Sequence, residues 1–415
     1  MSNTTLTSDI VAKEALAILD NELGWLKKIH RAHESEFSQS VNGYKVGDTI
    51  RIRRPADFTV RTGATMNLQD VIEGRITLAV DQQIGVDFNF TSVDLTLKIE
   101  DLSERVIKPA MTNIINYMAN DVATQMYRGV YNWVGTPGQI INSYSDFIKG
   151  PERLNEMAVP MDDRCAILSP SDHAGLLGAQ TGLYITGAAE GAYRSAQLGP
   201  IADVDIYMSQ VTPTHTRGTV DNTTPLTDGT GQNVTYDSSK NTWTQSLVTD
   251  GWDSSATIKA GDVFTIDGFY MVNPKTKEST GILQQFVVTA NVTANETTSN
   301  DTTLTISPPI IASGPHQTVT YSGTTNDRTI TIMGTASTAY KQNMVFHKNT
   351  MGLAIVPMEI PQGATNVSRR TSNGISVRVV PVYDGVNDVS KWRLDLLYGR
   401  AVLDPRLATR LSGSA

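Results

Sequence analysis

The sequence predicts an α+β chain with a small all-β unit inserted into it, and three observations carry that prediction. From about residue 103 to 133 apolar residues recur with the period of a helix, about 3.6 residues. On either side lie segments in which apolar and polar residues alternate as in half-buried strands. Between 213 and 340 about a quarter of the residues are Thr, while Leu, Lys and Arg are thin, which is the composition of a wet β-unit set into a different chain.

In chain order, a helix is expected over Ser8 to Glu22. Ile10, Ala15, Leu16, Leu19 and Leu23 form its apolar face, and Thr7, Ser8 or Asp9 is available as a cap. So short an amphipathic helix is marginal alone and must dock on something. From Gly43 to Leu97 three alternating runs follow, around Thr49–Arg53, Gly74–Val80 and Val86–Phe90. Pro55 and Gly63 interrupt them, Arg51, Arg53, Arg54 and Arg61 make them basic, and little contiguous core is present. A long projecting β-hairpin that needs neighbours is the expectation.

The helical stretch carries Ile107, Met111, Ile114, Ile115, Met118, Val122, Met126 and Val130 on one stripe. It predicts an element roughly 40 Å long, with Pro109 in its first turn or bending it and Gly135, Pro137 and Gly138 ending it. A mixed region follows, with a helix over Pro151 to Met157, a strand at Ala166–Leu168, and a helix opened by Ser169-Pro170-Ser171-Asp172, where Ser169 or Ser171 can cap. Val204–Met208 reads as the last strand before the Thr-rich segment, whose runs Asn222–Pro225 and Asn295–Asn300 read as loops.

Within that segment, Ile258 to Ala290 holds the β-rich runs Val263–Ile266, Phe269–Val272 and Gln285–Thr289. Asp267-Gly268 favours a tight hairpin between the first two. Strands richer in large apolar residues resume at Met344–Phe346 and Leu353–Val356. Ile375–Tyr383 and Trp392–Gly399 read as a pair joined at Asp384-Gly385. One domain interrupted by another is the simplest account, since exposed loop tips tolerate insertion.

Several function classes lose support. A net charge of -8 and a pI near 5.3 argue against a nucleic-acid binder that grips phosphates. The single Cys165, in an apolar run, reads as a buried thiol. No apolar run is long enough to span a membrane, and the N-terminus lacks a signal-peptide pattern, so a protein made and used in a cytoplasm is expected. His30 and His33 lack a fuller metal-ligand set, Gly229-Thr230-Gly231 lacks the rest of a phosphate loop, and no cofactor is expected. Asp172-His173 permits a hydrolase only on paper, because no second catalytic group accompanies it in a recognisable motif.

Through the order of these elements, and through Asp48-Thr49-Ile50-Arg51-Ile52-Arg53-Arg54-Pro55, Ile107-Lys108-Pro109-Ala110 and the Ile258–Ala290 module, the chain resembles major capsid proteins of tailed double-stranded-DNA bacteriophages. It is most similar to the P-twenty-two-type coat protein family, with the Hong Kong 97 capsid fold plus an inserted barrel-like domain. The resemblance implies an N-terminal arm at 1–42, an E-loop at 43–98, a peripheral domain with its spine helix at 99–150, an axial domain with returning peripheral strands at 151–212 and 341–415, and an insertion domain at 213–340.

It further implies a non-enzymatic subunit that assembles into hexamers and pentamers of an icosahedral shell with a scaffolding protein and a portal protein. That shell encloses double-stranded DNA without reading its sequence, and expands as the DNA is packaged. The expected setting is the virion, assembled in the host bacterial cytoplasm. No Lys and Asn pair is marked for crosslinking, so noncovalent stapling is expected. Arg51, Arg53, Arg54 and Arg61 are then candidates for intersubunit contacts, and Ile114, Met118, Val122 and Met126 for the core of the spine helix. The competing reading is a bacterial surface or adhesin-like β-rich binding protein, suggested by the Thr-rich region.

Overall fold

Helices and sheets are mixed along the chain as the α+β prediction requires. A computed structural model describes residues 8–38, 40–41, 44–45, 49–91, 103–181, 198–220, 225–253, 255–294, 301–361, 366–372 and 374–414. The chain divides into two units, the first Met1–Arg51, Thr77–Val122 and Met351–Ala401, the second Ile52–Ile76, Ala123–Thr350 and Val402–Ala415.

In the first unit the strands run in the order Met351–Val356, Val389–Val402, Ile375–Asp384, Ser368–Ser372, and Gln82–Thr91 also pairs with Val389–Val402. The expected pairing of the C-terminal strands is present, with Val379 opposite Leu394 and Pro381 opposite Trp392. The helix Ser8–Glu22 packs on Ile375–Asp384 and Ser368–Ser372 and buries Val11, Ala12, Ala15, Leu16 and Leu19. Ile10, expected on that face, is exposed, because Val11 and Ala12 take the inward positions. Asp9 ties the helix to the sheet through Ser368 Oγ at 3.0 Å and an ion pair with Arg370. Asp395 is buried between Arg378 and Arg393, 2.7 Å from Arg393 Nε.

The second unit holds a five-stranded sheet in the order Trp133–Val134, Ala408–Leu411, Asn343–His347, Arg164–Leu168, Val204–Met208. The helices Tyr144–Glu156 and Pro170–Thr181 help to cover it, giving a core that includes Phe147, Leu154, Leu168, Leu176 and Val345. Cys165 is buried in that sheet, as read from its apolar run. Seven strands between Leu226 and Ile332 form another sheet, with a core of their own that includes Leu247, Phe264, Ile266, Phe286, Leu304 and Ile306. Val263, Met271 and Val287, from strands of the second sheet, belong to the core of the first.

Several local expectations are corrected. Asp267-Gly268 makes no hairpin: Val263–Val272 is one strand, and Gly268, at φ +77°, lies where the register against Ser279–Val288 shifts between Thr265 and Tyr270. Glycine with positive φ serves a bulge as readily as a turn. The reversal comes at Asn273, whose carbonyl accepts from Lys277 N–H at 2.9 Å.

The long helix is Lys108–Gly129, about 33 Å at helical rise, with Pro109 in its first turn. It stops before Gly135 because Trp133 and Val134 are taken by the sheet, pairing in parallel with Arg410 and Leu411. Tyr144–Glu156 begins well before Pro151, which sits mid-helix; the start is set by Ser143, whose Oγ accepts from Asp146 N–H at 3.1 Å. Thr49–Arg53 pairs with Arg75–Ala79, but Gln82–Thr91 leaves the expected hairpin for the sheet of the first unit. Asn295–Asn300, most of Asn222–Pro225, and the approach to Leu97 lie outside the described residues.

Candidate functional site

Residues 54–74 form a loop without regular structure that presents large apolar side chains to solvent, with Val60 at 93 % and Leu68 at 84 % exposure, alongside Phe58, Met66 and Val71. Gln69 braces it internally, accepting from Thr59 N–H at 2.8 Å and donating to Thr59 O at 2.7 Å. An exposed apolar surface on an otherwise polar loop is the signature of a contact surface.

The four candidate arginines separate here. Arg51, Arg53 and Arg61 are exposed, Arg53 pairing with Glu73 at 3.3 Å and Arg61 donating to Gly63 O. Arg54 turns inward: its guanidinium carbon stands 5.3 Å from the centre of the Trp243 ring, and burial pulls its pKa below the ordinary arginine value. Arg406 stands 5.5 Å from the same ring. Trp243 is therefore held by two cations, an arrangement that gains strength where water is excluded.

Around this indole lies a dense ionic centre. Arg406 grips Asp404, with Nη2 to Oδ2 at 2.8 Å and Nε to Oδ1 at 3.0 Å, and reaches Asp57 Oδ2 at 3.2 Å. Burial opposes the ionisation of Asp404, but the charge and hydrogen bonds of Arg406, with Arg54, outweigh it and hold the carboxyl below its usual range. Burial likewise opposes the charge on Arg406, and Asp404 and Asp57 more than restore it. Asp57 Oδ1 also lies 3.6 Å from Lys275 Nζ.

His316 stacks on Tyr236 with ring centres 3.5 Å apart, and its Nε2 accepts a long 3.5 Å hydrogen bond from Asp57 N–H. The other leg of the loop is held by the same neighbourhood. Gly74 passes so close to Lys240 O that a Cβ there would lie 2.3 Å away, and Arg75 N–H donates to Asn241 Oδ1 at 3.2 Å. Ile72 packs with Tyr236, Trp243 and Ile311. Of this centre, sequence reasoning had singled out Arg54 alone. Asp57, Trp243, His316, Asp404 and Arg406 come from distant parts of the chain with no local motif.

The candidate helix residues Ile114, Met118, Val122 and Met126 are all buried, at 3 % exposure or less. The helix is fastened to the sheet of the first unit through Asp121, which accepts from Tyr398 Oη at 2.6 Å and from Arg400 Nη2 at 2.9 Å. The Asp172 carboxylate is engaged by its own fold: it accepts from Ile141 N–H and from Asn343 Nδ2, each at 2.9 Å, and from Ser169 Oγ. Among the described residues no group of three His, Cys, Asp or Glu is placed to hold a metal ion, and no helix is long and apolar enough to cross a membrane.

The chain is similar to known proteins over most of its length. The "Major capsid protein" of Acyrthosiphon pisum secondary endosymbiont phage 1 is 23% identical, over 98% of this chain and 98% of that protein. Among solved structures, a chain of Mycobacterium phage Che8 is similar at 10% identity and a TM-score of 0.49, covering 93% of this chain and 89% of that one. A chain from the capsid structure of the cyanophage P-SCSP1u is similar at 11% identity and a TM-score of 0.43, covering 89% and 85%. The model of one family, P22 coat protein - gene protein 5, matches residues 1–413, and the chain belongs to that family.

Proposed function

We propose that this chain is the major capsid protein of a tailed double-stranded-DNA phage, a subunit whose work is done by its surfaces. The observation that carries the reading is the family match over residues 1–413, supported by a phage relative named for that role and matched over 98% of its length. In this reading residues 1–42 are the N-terminal arm, 43–98 the E-loop, 99–150 the peripheral domain with Lys108–Gly129 as spine, 151–212 with 341–415 the axial domain and returning strands, and 213–340 the insertion domain. The exposed apolar residues of the 54–74 loop, with the exposed Arg51, Arg53 and Arg61, then form a surface that meets neighbouring subunits.

Hexamers and pentamers of the chain, assembling with a scaffolding protein and a portal protein in the bacterial cytoplasm, form a noncovalently stapled shell that encloses the genome and expands on packaging. The net charge of -8 fits a lining that does not grip DNA. Electron microscopy of the chain, expressed alone and with a scaffolding protein from the same genome, tests this: closed shells or capsomers are expected. Monodisperse monomers under every condition would overturn it.

A further inference from the structure

We propose that the ionic centre around Trp243 is an acid-sensitive latch that holds both legs of the 54–74 loop on their own subunit, with His316 as its proton sensor. One leg enters through Arg54, against the indole, and Asp57, which meets Arg406, Lys275 and His316. The other enters through Gly74, against Lys240 O, and Arg75, on Asn241. The loop beyond the legs lacks such anchors: Val60, Met66 and Leu68 face solvent. Whatever opens the centre frees the whole exposed loop from its base, while the core residues Phe264 and Phe286 stay packed elsewhere.

His316 is placed to do this by geometry. Its Nε2 faces the Asp57 N–H as an acceptor, so the neutral ring carries its proton on Nδ1, 3.8 Å from Asp57 Oδ2. A second proton on Nε2 would set N–H against N–H. It would also add a cation to a site that already holds Arg54, Arg406, Lys277 and Lys275 against Asp57 and Asp404, with Tyr236 stacked on the ring and Tyr131 and Trp243 lining the same cavity.

Burial, reinforced by Arg406, Lys277 and Arg54 and opposed by Asp57, lowers the pKa of His316 from 6.5 to about 4. The latched state therefore binds fewer protons than the open one across that interval, so the latch is at full strength above about pH 6.5 and weakens as pH falls toward about 4. The latch belongs to the subunit alone and holds whether or not the chain builds a shell.

Hydrogen exchange of the unassembled full-length chain, corrected for the intrinsic effect of pH, tests it in peptides covering 54–76, with Ile375–Asp384 as an internal reference. Protection of 54–76 is expected to fall about tenfold or more between neutral pH and about pH 4.5 while the reference is unchanged. In His316→Gln, whose side chain stays neutral and can still accept from Asp57, protection is expected to be flat over the same range. Trp243→Leu is expected to release 54–76 already at neutral pH. The proposal is overturned if native protection persists to pH 4.5, if His316→Gln loses protection in step with the native chain, or if loop and reference open together.

Discussion

Gln285 pairs with Trp133 as a strand residue would: its side-chain oxygen accepts from the Trp133 N–H at 2.7 Å, and its amide nitrogen donates to the Trp133 carbonyl at 2.7 Å. A side chain of the Ser279–Val288 strand thereby completes the backbone of Trp133–Val134 in the other sheet of the same unit. The segment 213–340 has a core of its own, yet it is also stitched to residues outside it by this pair and by Val263, Met271 and Val287.

Two outcomes follow for the segment expressed alone and for Gln285→Ala. Residues 213–340 alone are expected to give dispersed amide resonances and one cooperative thermal transition, because Phe264, Phe286 and Leu304 need no residue outside the segment. Gln285→Ala is expected to leave that transition nearly unmoved while destabilising the full chain by about 1–3 kcal/mol, the cost of orphaning buried backbone groups. Chemical denaturation of both forms checks this; an equal loss in both would mean that Gln285 acts within its own sheet.

Reversing Arg53 and Arg61 to Glu is expected to leave the melting temperature of the unassembled subunit nearly unchanged, since exposed ion pairs contribute about 0–1 kcal/mol. It is also expected to impair shell formation. Arg54→Glu is expected to behave differently and lower the melting temperature, because it sets a carboxylate beside Trp243 and Asp404 in place of a cation. Normal shells from the double reversal would retire the intersubunit role of these side chains.

Arg410 is fully buried and donates to the carbonyls of Tyr127, Val130 and Gly261, the Val130 bond at 3.1 Å and the Gly261 bond at 2.8 Å. Each of its three nitrogens reaches a different carbonyl, two at the end of the Lys108–Gly129 helix and one at Gly261, a spread of donors that the single nitrogen of an ammonium does not reproduce. Arg410→Lys is expected to destabilise the subunit by more than about 2 kcal/mol in chemical denaturation. A change near zero would show that the three carbonyls find other partners.

What was legible in the sequence was what is local. The helix Ser8–Glu22 and the strand Val204–Met208 were readable to their ends because periodicity and flanking residues act over a few positions. Alternation carried one residue past the strand Thr49–Arg53 sets Arg54 on the opposite face from Arg51 and Arg53, so the sequence already separates it from those two. Nothing local marks Trp243, His316 or Arg406 as partners of Arg54 and Asp57, since they meet only once the chain has folded. Asp267-Gly268 misled for a related reason: positive φ is encoded at the glycine, whereas the choice between turn and bulge is made by the partner strand.

The Lys108–Gly129 helix offers the sharpest test of register, because neighbouring positions on it have opposite surroundings. Val122 is fully buried and Asn120 is exposed. Asp at position 122 puts an unpaired carboxylate into the core one residue from Asp121, whose own charge is already matched to Tyr398 and Arg400. That burial costs several kcal/mol, about the whole margin of a typical domain. Asp at position 120 stays hydrated and costs under about 0.5 kcal/mol. Val122→Asp is therefore expected to accumulate as insoluble protein and Asn120→Asp to give soluble subunits with an unchanged melting temperature; equal behaviour of the two in a solubility and melting assay would show the helix turned by at least one residue from the register described.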